Sequence, residues 1–396
     1  MNKLTIRDID VSGKRVLVRA DFNVPLDEAS GAITDDSRIR ATLPTIKYLI
    51  KRKARIILCS HLGRPGGRVV EKLRLAPVAE RLSELLGRRV EVAPHCSLGA
   101  EVEKEVERLK GGDVLLLENL RFQPEEMENA PAFAQSLAHL ADIYVNDAFG
   151  ASHRAHASIV GVAHYLPAVA GLLLEKEIKV LEGILANPVH PFAELAGGAK
   201  VSDKLALLQN TLDKVDSILI GGGMAATFLK AKSYEVGSSL VEEDKLGFAA
   251  RLMRDAAEHG VRLLLPVDVV IADEISAGAR VVPVEKIPPG WKIADIGPQT
   301  IDNFSNDLRR CKTVFWNGPM GIYEIPKFAA GTQAMARLLA GLKATTVVGG
   351  GSTAEAVAAM KLGDKMTFVS TGGGALLRFL GGEKLPGIEA LLERKG

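Results

Sequence analysis

The chain has 396 residues, 47% hydrophobic and 25% charged, so at roughly 150 residues per domain it has room for two or three domains with buried cores and does not have the composition of a disordered protein. Its 50 basic residues nearly balance its 48 acidic ones, giving a net charge of +2, which disfavours a generic nucleic-acid-binding surface. No apolar run approaches the ~20 residues of a membrane span. The N-terminus MNKLTIRDID lacks the apolar core of a secretory signal. The three cysteines, Cys59, Cys96 and Cys311, are far apart and have no metal-ligand spacing, so we expect the protein to be in a reducing cytoplasm.

The first half of the chain alternates apolar, β-branched runs with helical segments such as 75–86. The runs occupy 15–23, 54–65, 113–122 and 142–154. This alternation is typical of buried parallel strands in an open α/β sheet, whose ligands bind beyond the carboxyl ends of the strands. The polar residues that follow these runs are Asp21, Asn23, His61, Arg64, Arg121, His153 and Arg154.

Arginine and histidine occur together at two of these strand ends, and a third end supplies another arginine. The arginine side chain offers a planar fork of donors for carboxylate or phosphate oxygens, so the convergence favours an anion site. Metal ligation by His61, His153 and His156 remains an alternative, although the neighbouring arginines would repel a cation. Asp21 and Asn23 would instead hold ligand hydroxyl groups.

Two further polar residues of this half have less specific signals. Arg38 follows Asp35, Asp36 and Ser37, any of which could cap the next helix, and the local sequence favours a surface ion pair of Arg38 with Asp35 or Asp36. Asp147 follows a strand and is a candidate carboxylate base without an identifiable partner acid. A G-x-S-x-G elbow is missing, so a serine hydrolase is not predicted.

A helix is predicted over 172–185, because the apolar residues recur at about helical period and an Asn-Pro breaker follows. We interpret it as the connection between two halves of similar architecture. In the second half, apolar runs predicted as strands lie at 217–220, 262–270, 313–317, 345–348 and 366–370, and glycine-rich turns follow most of them.

Three GGG turns in this half indicate close approach of a ligand to the backbone, with tight strand–helix turns as the alternative. In GGAKVSDK, Lys200 and Lys204 are four residues apart, which predicts that they share one helical face near an anionic ligand; the alternative is two solvated lysines. Neither a Walker A loop nor a G-x-G-x-x-G fingerprint is present, which argues against an NAD-dependent dehydrogenase.

The motifs RVLVRADFNVP, SHLGRP, ENLRF, VNDAFGASHRAHAS, GGAKVSDK, GGGMAATF, WNGPMGIYE and GGGSTAEA have the order and spacing of those in phosphoglycerate kinases. The chain resembles that family from about Leu4 to Leu391. The resemblance implies two Rossmann-like open parallel-sheet domains with a cleft and hinge between them. It further implies a phosphoglycerate-binding domain over 1–171, an interdomain helix over 172–186, a nucleotide-binding domain over 187–381 and a C-terminal segment, 382–396, that packs on the first domain.

The activity implied by the resemblance is reversible phosphoryl transfer from 1,3-bisphosphoglycerate to Mg-ADP, giving 3-phosphoglycerate and Mg-ATP. It would proceed by charge stabilisation after hinge closure, in a cytoplasmic monomer without nucleic-acid or membrane partners. The alternative is a catalytically weakened phosphate-ligand binding protein of the same fold.

The resemblance also assigns site residues. It implies Arg38 and Lys200 as catalytic residues and the backbone N–H groups of Gly350 and Gly373 as transition-state donors. The implied substrate-binding residues are Asp21, Phe22, Asn23, Arg38, His61, Leu62, Gly63, Arg64, Arg121 and Arg154. The implied nucleotide-binding residues are Lys200, Lys204, Gly222, Asn317, Pro319, Glu324, Gly350, Gly351, Ser352 and Thr353.

Three positions depart from the family pattern. Ser352 stands where the family usually has an Asp associated with magnesium, so Ser352 would be a weak ligand and the metal would rest on phosphates and water. Ile293 stands where the family usually has Gly beside the adenine, and Arg378 where it tends to have Glu. Because Arg38 and Lys200 are both present, we expect an active enzyme. Because of these departures, we expect its affinity for magnesium or the nucleotide to be weaker.

Overall fold

A computed structural model describes residues 2–93, 98–273 and 278–394, and Cys96 lies outside these ranges. The contacts divide the chain into two units, Met1–Lys179 with Lys384–Gly396, and Val180–Glu383. The thiols of Cys59 and Cys311 are buried and free of disulfides. Among the described residues, the structure contains no helix long and apolar enough to span a membrane.

A parallel sheet of six strands forms the centre of the first unit, in the order β3-β4-β2-β1-β5-β6. Its strands are β1 Arg15–Arg19, β2 Arg55–Cys59, β3 Glu91–Val92, β4 Val114–Leu116, β5 Ile143–Asn146 and β6 Ala168–Ala170. The helices of this part of the chain are α1 Ser37–Lys51, α2 Ala76–Leu86, α3 Ala100–Arg108, α4 Pro124–Met127, α5 Pro131–His139 and α6 Leu172–Ala186.

Helix α1 shows why this part of the sequence packs on the sheet. Its buried residues include Ile39, Thr42, Ile46 and Leu49, which recur every three or four positions and so share one face. The three isoleucine and leucine side chains of this face belong to the same apolar cluster as residues of β1 and β2. Strands β4, β2, β1 and β5 are neighbours and pair in parallel. Their carboxyl ends therefore lie side by side at one edge of the sheet.

The second unit has its own parallel sheet, in the order β15-β14-β13-β7-β8-β9. Its strands are β7 Phe192–Ala196, β8 Ser217–Ile220, β9 Arg262–Leu264, β13 Thr313–Asn317, β14 Thr345–Gly349 and β15 Phe368–Val369. Its helices are α7 Leu205–Thr211, α8 Ala225–Ala231, α9 Leu246–Glu258, α10 Pro298–Leu308, α11 Ala330–Gly341, α12 Gly351–Ala359 and α13 Gly374–Leu380.

A small antiparallel sheet in this unit corrects one prediction. The run 262–270 is predicted as one strand, but β9 ends at Leu264 and a separate strand, β10, begins at Asp268. Pro266 lies between them and has no N–H to donate to a sheet ladder, which favours a break in the strand at this point. β10 Asp268–Ala272 pairs instead with β11 Ala279–Pro283 and β12 Lys292–Ile296.

The residues after α13 return to the first unit, where α14 Pro386–Glu389 lies. The Asn146 side chain donates to the carbonyl of Gly387 at 2.9 Å, and the Gly387 N–H donates to the carbonyl of Ser152 at 2.9 Å. The N–H of Leu4 donates to the carbonyl of Leu392 at 2.8 Å. The two sequence-distant segments of this unit are therefore joined by backbone hydrogen bonds.

Candidate functional site

The carboxyl edge of the first sheet gathers the polar residues that follow its strands. We call this set the arginine face; it comprises Asp21, Asn23, Arg38, His61, Gly63, Arg64, Arg121 and Arg154. The pKa of His61 is held well below its usual value by burial and then by the charges of four arginines, which are Arg19, Arg121, Arg154 and Arg38. Four cations therefore lie within electrostatic range of one histidine, which suits an anionic ligand and opposes metal binding.

Arg38 corrects the ion pair favoured by its local sequence. Its Nη1 lies 3.1 and 3.2 Å from the two carboxylate oxygens of Asp21, whereas the Asp36 carboxylate binds Arg40 and Arg81. The reason is geometric: a side chain in the first turn of a helix leans back toward the N-terminus, and here that direction leads to the loop after β1. Arg38 is thus part of the arginine face, and Asp35 accepts a hydrogen bond from the Ser37 N–H.

Gly63 is fixed between two predicted site residues. Its N–H donates to Asn23 Oδ1 at 2.8 Å, and its carbonyl accepts from Arg121 Nη1 at 3.0 Å. By contrast, the side chains of Phe22 and Leu62 are buried in the apolar core. These two residues are therefore not available for side-chain contact with a ligand.

The remaining arginines of this face differ in exposure. Arg64 is exposed, and Arg154 Nε donates to His153 Nε2 at 3.2 Å. Arg121 is buried, and burial followed by the charges of Arg154 and Arg19 lowers its pKa to about 10, so it remains a cation at neutral pH. Its Nε is buried without a hydrogen-bond partner in the described part of the chain, which is a donor that a ligand oxygen would satisfy.

Asp147 does not behave as a candidate base. It is fully buried, and its Oδ1 accepts hydrogen bonds from the N–H groups of Leu173 at 2.9 Å and Leu174 at 3.2 Å. These are unpaired donors at the start of α6, where a carboxylate is stabilising. Burial raises the pKa of Asp147 to about 7. Its role in this structure is to cap α6.

Sequence reasoning misses one layer of the site. Arg19, the last residue of β1, is fully buried and its Nη2 lies 3.1 Å from Nδ1 of His61. Ser158 and Glu126 lie behind it. The available signal is the arginine itself, because a charged residue at the end of a strand that is otherwise apolar requires a partner.

The carboxyl edge of the second sheet carries a different chemistry. We call it the glycine face; it comprises Lys200, Lys204, Gly222, Asn317, Gly318, Pro319, Gly350, Gly351, Ser352 and Thr353. Lys204 and Asn317 are both buried, and the Lys204 Nζ donates to Asn317 Oδ1 at 2.5 Å. Burial lowers the pKa of Lys204, while Asp203 and Glu194 oppose that change. The buried Nδ2 of Asn317 has no partner in the described ranges and lies 3.0 Å from where a Cβ on Gly350 would be.

The two lysines do not share a helical face, contrary to the prediction. Lys200 is exposed and precedes a 3₁₀ turn over Ser202–Lys204, and α7 begins only after that turn. The N–H groups of Val201 and Ser202 donate to Glu242 at 2.5 and 3.1 Å, which holds the backbone in this turn. Lys204 therefore points into the unit, whereas Lys200 remains at the surface.

The glycine turns have a role in loop packing, in addition to any approach of a ligand to the backbone. Gly222 has a φ of +65°, and a Cβ there would lie 2.6 Å from the N of Gly198 and 2.7 Å from the carbonyl oxygen of Pro319. Its missing side chain therefore lets the loops after β7, β8 and β13 meet backbone to backbone, so loop packing by itself requires a glycine here. A Cβ on Gly351 would have open space, and one on Gly373 would lie 3.9 Å from the N of Gly351.

The other predicted residues of the glycine face surround the start of α12. Thr353 is buried and its Oγ1 accepts the Gly318 N–H at 2.7 Å, whereas Ser352 and Glu324 are exposed. Tyr323 donates to Glu355 at 3.0 Å, and burial, then Glu355 and Glu324, raise its pKa to about 12.

These residues do not form a protein-built metal site. Across residues 2–93, 98–273 and 278–394, three or more histidine, cysteine or acidic side chains are nowhere grouped so as to hold a metal ion. Ser352 offers only a neutral hydroxyl, and the hydroxyl of Thr353 is already engaged. The earlier alternative of a histidine-bound metal is not supported.

Ile293 and Arg378, two of the three residues that depart from the family pattern, lie in different surroundings. Ile293, in β12, is buried in an apolar cluster with residues of β10 and α8, such as Ile271 and Leu229. Arg378 is exposed and its Nη1 lies 3.8 Å from a carboxylate oxygen of Glu383, so it contributes little to stability.

Each unit thus presents polar groups suited to an anion at the carboxyl edge of a parallel sheet, one edge rich in arginine and the other in glycine and lysine, in a protein of the α/β class. The family model described as Phosphoglycerate kinase matches residues 6–383. Relatives named Phosphoglycerate kinase from Moorella thermoacetica and Pelotomaculum thermopropionicum are 56% and 55% identical over 396 residues, covering 100% of this chain and of each relative.

Solved structures agree with the sequence comparison. A structure of phosphoglycerate kinase from Coxiella burnetii has a TM-score of 0.85 and 42% identity, covering 98% of both chains. One of phosphoglycerate kinase from Pyrococcus horikoshii OT3 has a TM-score of 0.86 and 32% identity, again over 98% of both chains.

The chain belongs to the phosphoglycerate kinase family. It is a phosphotransferase whose acceptor is a carboxyl group, and the family's substrates are phosphoglycerate and a nucleotide supplied with Mg²⁺. The prediction of an α/β fold with two parallel sheets is confirmed, and the alternative of a catalytically weakened binding protein is not favoured.

Proposed function

We propose that the arginine face binds phosphoglycerate, that the glycine face binds the nucleotide, and that the phosphoryl group moves between 1,3-bisphosphoglycerate and Mg-ADP. The observation that carries this assignment is the buried, unpartnered Nε of Arg121 within a cluster of arginines. A buried guanidinium donor without a partner is costly unless a ligand oxygen takes it.

On the arginine face, Arg64, Arg121 and Arg154 bind the phosphate and carboxyl oxygens of phosphoglycerate. Asp21 and Asn23 hold the hydroxyl and carboxyl region of phosphoglycerate, where a carboxylate oxygen of Asp21 can accept the single hydroxyl proton. Arg38 lies 3.1 Å from Asp21, and we assign it to the phosphoryl group in transfer, where charge develops on the equatorial oxygens.

On the glycine face, Lys204 and the amide of Asn317 bind nucleotide phosphate oxygens, and Glu324 lies at the ribose. The backbone N–H groups of Gly350 and Gly351 add donors at the start of α12, where unpaired N–H groups and the positive end of the helix dipole favour anions. The N–H of Gly373, which precedes α13, adds a further donor. Lys200, exposed in this structure, reaches the transferring phosphoryl group.

The chemistry requires no general base, because the attacking oxygen of ADP and the departing carboxylate are both already ionised. Phosphoryl transfer depends on positioning and on charge stabilisation of the transferring oxygens. Arg38 and Lys200 supply that charge. The two ligands must meet before transfer, so we propose that the units close during the reaction and exclude water, which prevents hydrolysis of the acyl phosphate.

Three properties complete the proposal. Magnesium arrives on the nucleotide and is held by its phosphates, by water and weakly by Ser352. The protein acts as a monomer in the cytoplasm. It has no nucleic-acid or membrane partner.

A coupled assay of ATP formation from 1,3-bisphosphoglycerate and ADP, with a Mg²⁺ titration, tests the proposal. We expect turnover that saturates with Mg²⁺. Binding of both ligands without turnover at saturating Mg²⁺ would contradict the proposed reaction and favour a protein that only binds them.

A further inference from the structure

Behind the arginine face lies a buried polar chain that the reaction scheme does not use. It consists of Arg19 at the end of β1, Ser158, and Glu126 in α4, and each of the three is fully buried. Residues this polar are rarely buried unless they are paired and hydrogen-bonded, so their contacts define their role.

Arg19 contacts His61 directly. Its Nη2 lies 3.1 Å from His61 Nδ1, its Nε donates to Ser158 Oγ at 2.8 Å, and its Nη1 donates to the carbonyl of Ala20. A guanidinium group has donors and no acceptor, and it stays charged inside proteins. The Nδ1 of His61 must therefore accept this hydrogen bond and carries no proton. The ring is neutral, and its one N–H is on Nε2.

Ser158 and Glu126 hold Arg19 in this position. The Ser158 hydroxyl accepts from Arg19 and so gives its single proton to Glu126 Oε1, 2.6 Å away. The backbone N–H of Ser158 donates to Glu126 Oε2 at 2.9 Å. The hydrogen bonds therefore run in one direction, from Arg19 through Ser158 to Glu126, and the carboxyl group ends the chain. His156 Nδ1 lies 3.8 Å from Glu126 Oε1, beyond hydrogen-bond distance.

The surroundings of His61 agree with a neutral ring. Burial and then the charges of Arg19, Arg121, Arg154 and Arg38 hold its pKa well below the usual histidine value. A positive charge on the ring would stand among these arginines in a buried site. The Nε2 of His61 has no hydrogen-bond partner among the described residues, so its N–H is available to a ligand.

We propose that Arg19, held by Ser158 and Glu126, is a positioning residue that fixes His61 as its neutral Nε2–H tautomer, so that His61 donates one directed hydrogen bond to an oxygen of phosphoglycerate. This inference rests on the proposed function of the arginine face. The arginines supply the charge that attracts the anion, and His61 supplies a donor of fixed position that selects where an oxygen must lie.

The first test is nuclear magnetic resonance of the full, ¹⁵N-labelled chain without ligand, which records the protonation of each histidine nitrogen. The signals of His61 are assigned by their loss in His61→Gln. We expect an unprotonated Nδ1 and a protonated Nε2 that persist as the pH is lowered through the usual histidine range. A protonated Nδ1, or a cationic ring at neutral pH, would overturn the inference. Because no substrate or turnover is involved, failure here is distinct from failure of the proposed reaction.

The second test removes the buried hydrogen-bond chain of Arg19, Ser158 and Glu126 without leaving a buried charge unpaired. In the double variant Arg19→Met with Glu126→Gln, we expect the Nδ1 signal of His61 to move and the KM for 3-phosphoglycerate to rise roughly three- to tenfold, the equivalent of one lost hydrogen bond. The kcat should change less than KM.

The matched control lies at the other end of the same strand. Arg15, the first residue of β1, pairs with Asp142 at 2.8 Å, and Arg15→Met with Asp142→Asn removes that pair in the same way. We expect unchanged His61 signals and unchanged KM. An equal KM increase in the control, or an increase in the Arg19 variant without any change in the His61 signals, would refute positioning through His61.

Discussion

Gly222→Ala tests whether the turn after β8 exists to pack loops together. Gly222 has a φ of +65°, and an added Cβ would lie 2.6 Å from the N of Gly198 and 2.7 Å from the carbonyl oxygen of Pro319. Left-handed backbone costs an alanine about 1 kcal/mol. Overlap with backbone atoms, which cannot turn aside as a flexible side chain does, costs roughly 1–3 kcal/mol more. We therefore expect Gly222→Ala to destabilise the second unit by roughly 2–4 kcal/mol.

The control is Gly260→Ala in the same unit. Gly260 also has a left-handed φ, +71°, but an added Cβ there would have nothing within 4 Å. This variant therefore isolates the backbone cost, about 1 kcal/mol. The difference between the two variants measures the loop contact alone.

The assay is urea unfolding followed by tryptophan fluorescence. The chain has two tryptophans, Trp291 and Trp316, and both belong to the second unit, so the signal reports on that unit. A midpoint shift at constant slope gives the change in the free energy of unfolding. Equal losses in the two variants, or a Gly222→Ala protein as stable as wild type, would refute the packing argument.

Other variants test the charged groups. Glu194 is fully buried, and burial raises its pKa from 4.5 to about 7. Between those values the unfolded state loses its proton first, so this group alone lowers stability by about 3 kcal/mol as the pH rises. Glu194→Gln should reduce the fall in stability by that amount in urea unfolding on either side of the range, while Asp147 and Asp295, whose pKa values are also raised to about 7, keep their own contributions. A wild-type protein with no such fall would show that the carboxylate is stabilised when charged. Arg38→Ala should lower kcat by roughly 10²–10³-fold while KM for phosphoglycerate changes less, because its charge acts in the transition state; an effect on KM alone would reassign Arg38 to substrate binding. Ser352→Asp should lower the Mg²⁺ concentration needed for half-maximal activity, and identical Mg²⁺ curves would show that this position does not contribute to metal binding.

The parallel sheets are predictable from the sequence because a strand buried on both faces must be apolar over its whole length. The residues 16–18 of β1 illustrate this, since all three are fully buried. The antiparallel sheet is not predictable in the same way. Its strand β10 is as apolar as its neighbours, and only Pro266 signals that the run changes sheets.

The same distinction holds at the site. His61, Arg121 and Arg154 can be recognised because the end of a strand can be located in sequence. The role of Arg19 cannot, because it depends on Ser158 and Glu126, which folding brings together from distant segments. The partner of Arg38 depends likewise on the direction of a helix relative to a loop, which local sequence does not specify.

The return of the C-terminal segment to the first unit has a consequence for synthesis. During translation the second unit, Val180–Glu383, leaves the ribosome before α14 and the residues that hydrogen-bond to Leu4 and Ser152. Domains generally fold as they emerge, so the inserted unit can fold while the first still lacks its last segment. The first unit, although begun earliest, is finished last, because Leu4 and Ser152 lack these hydrogen-bond partners until the C-terminal segment has emerged.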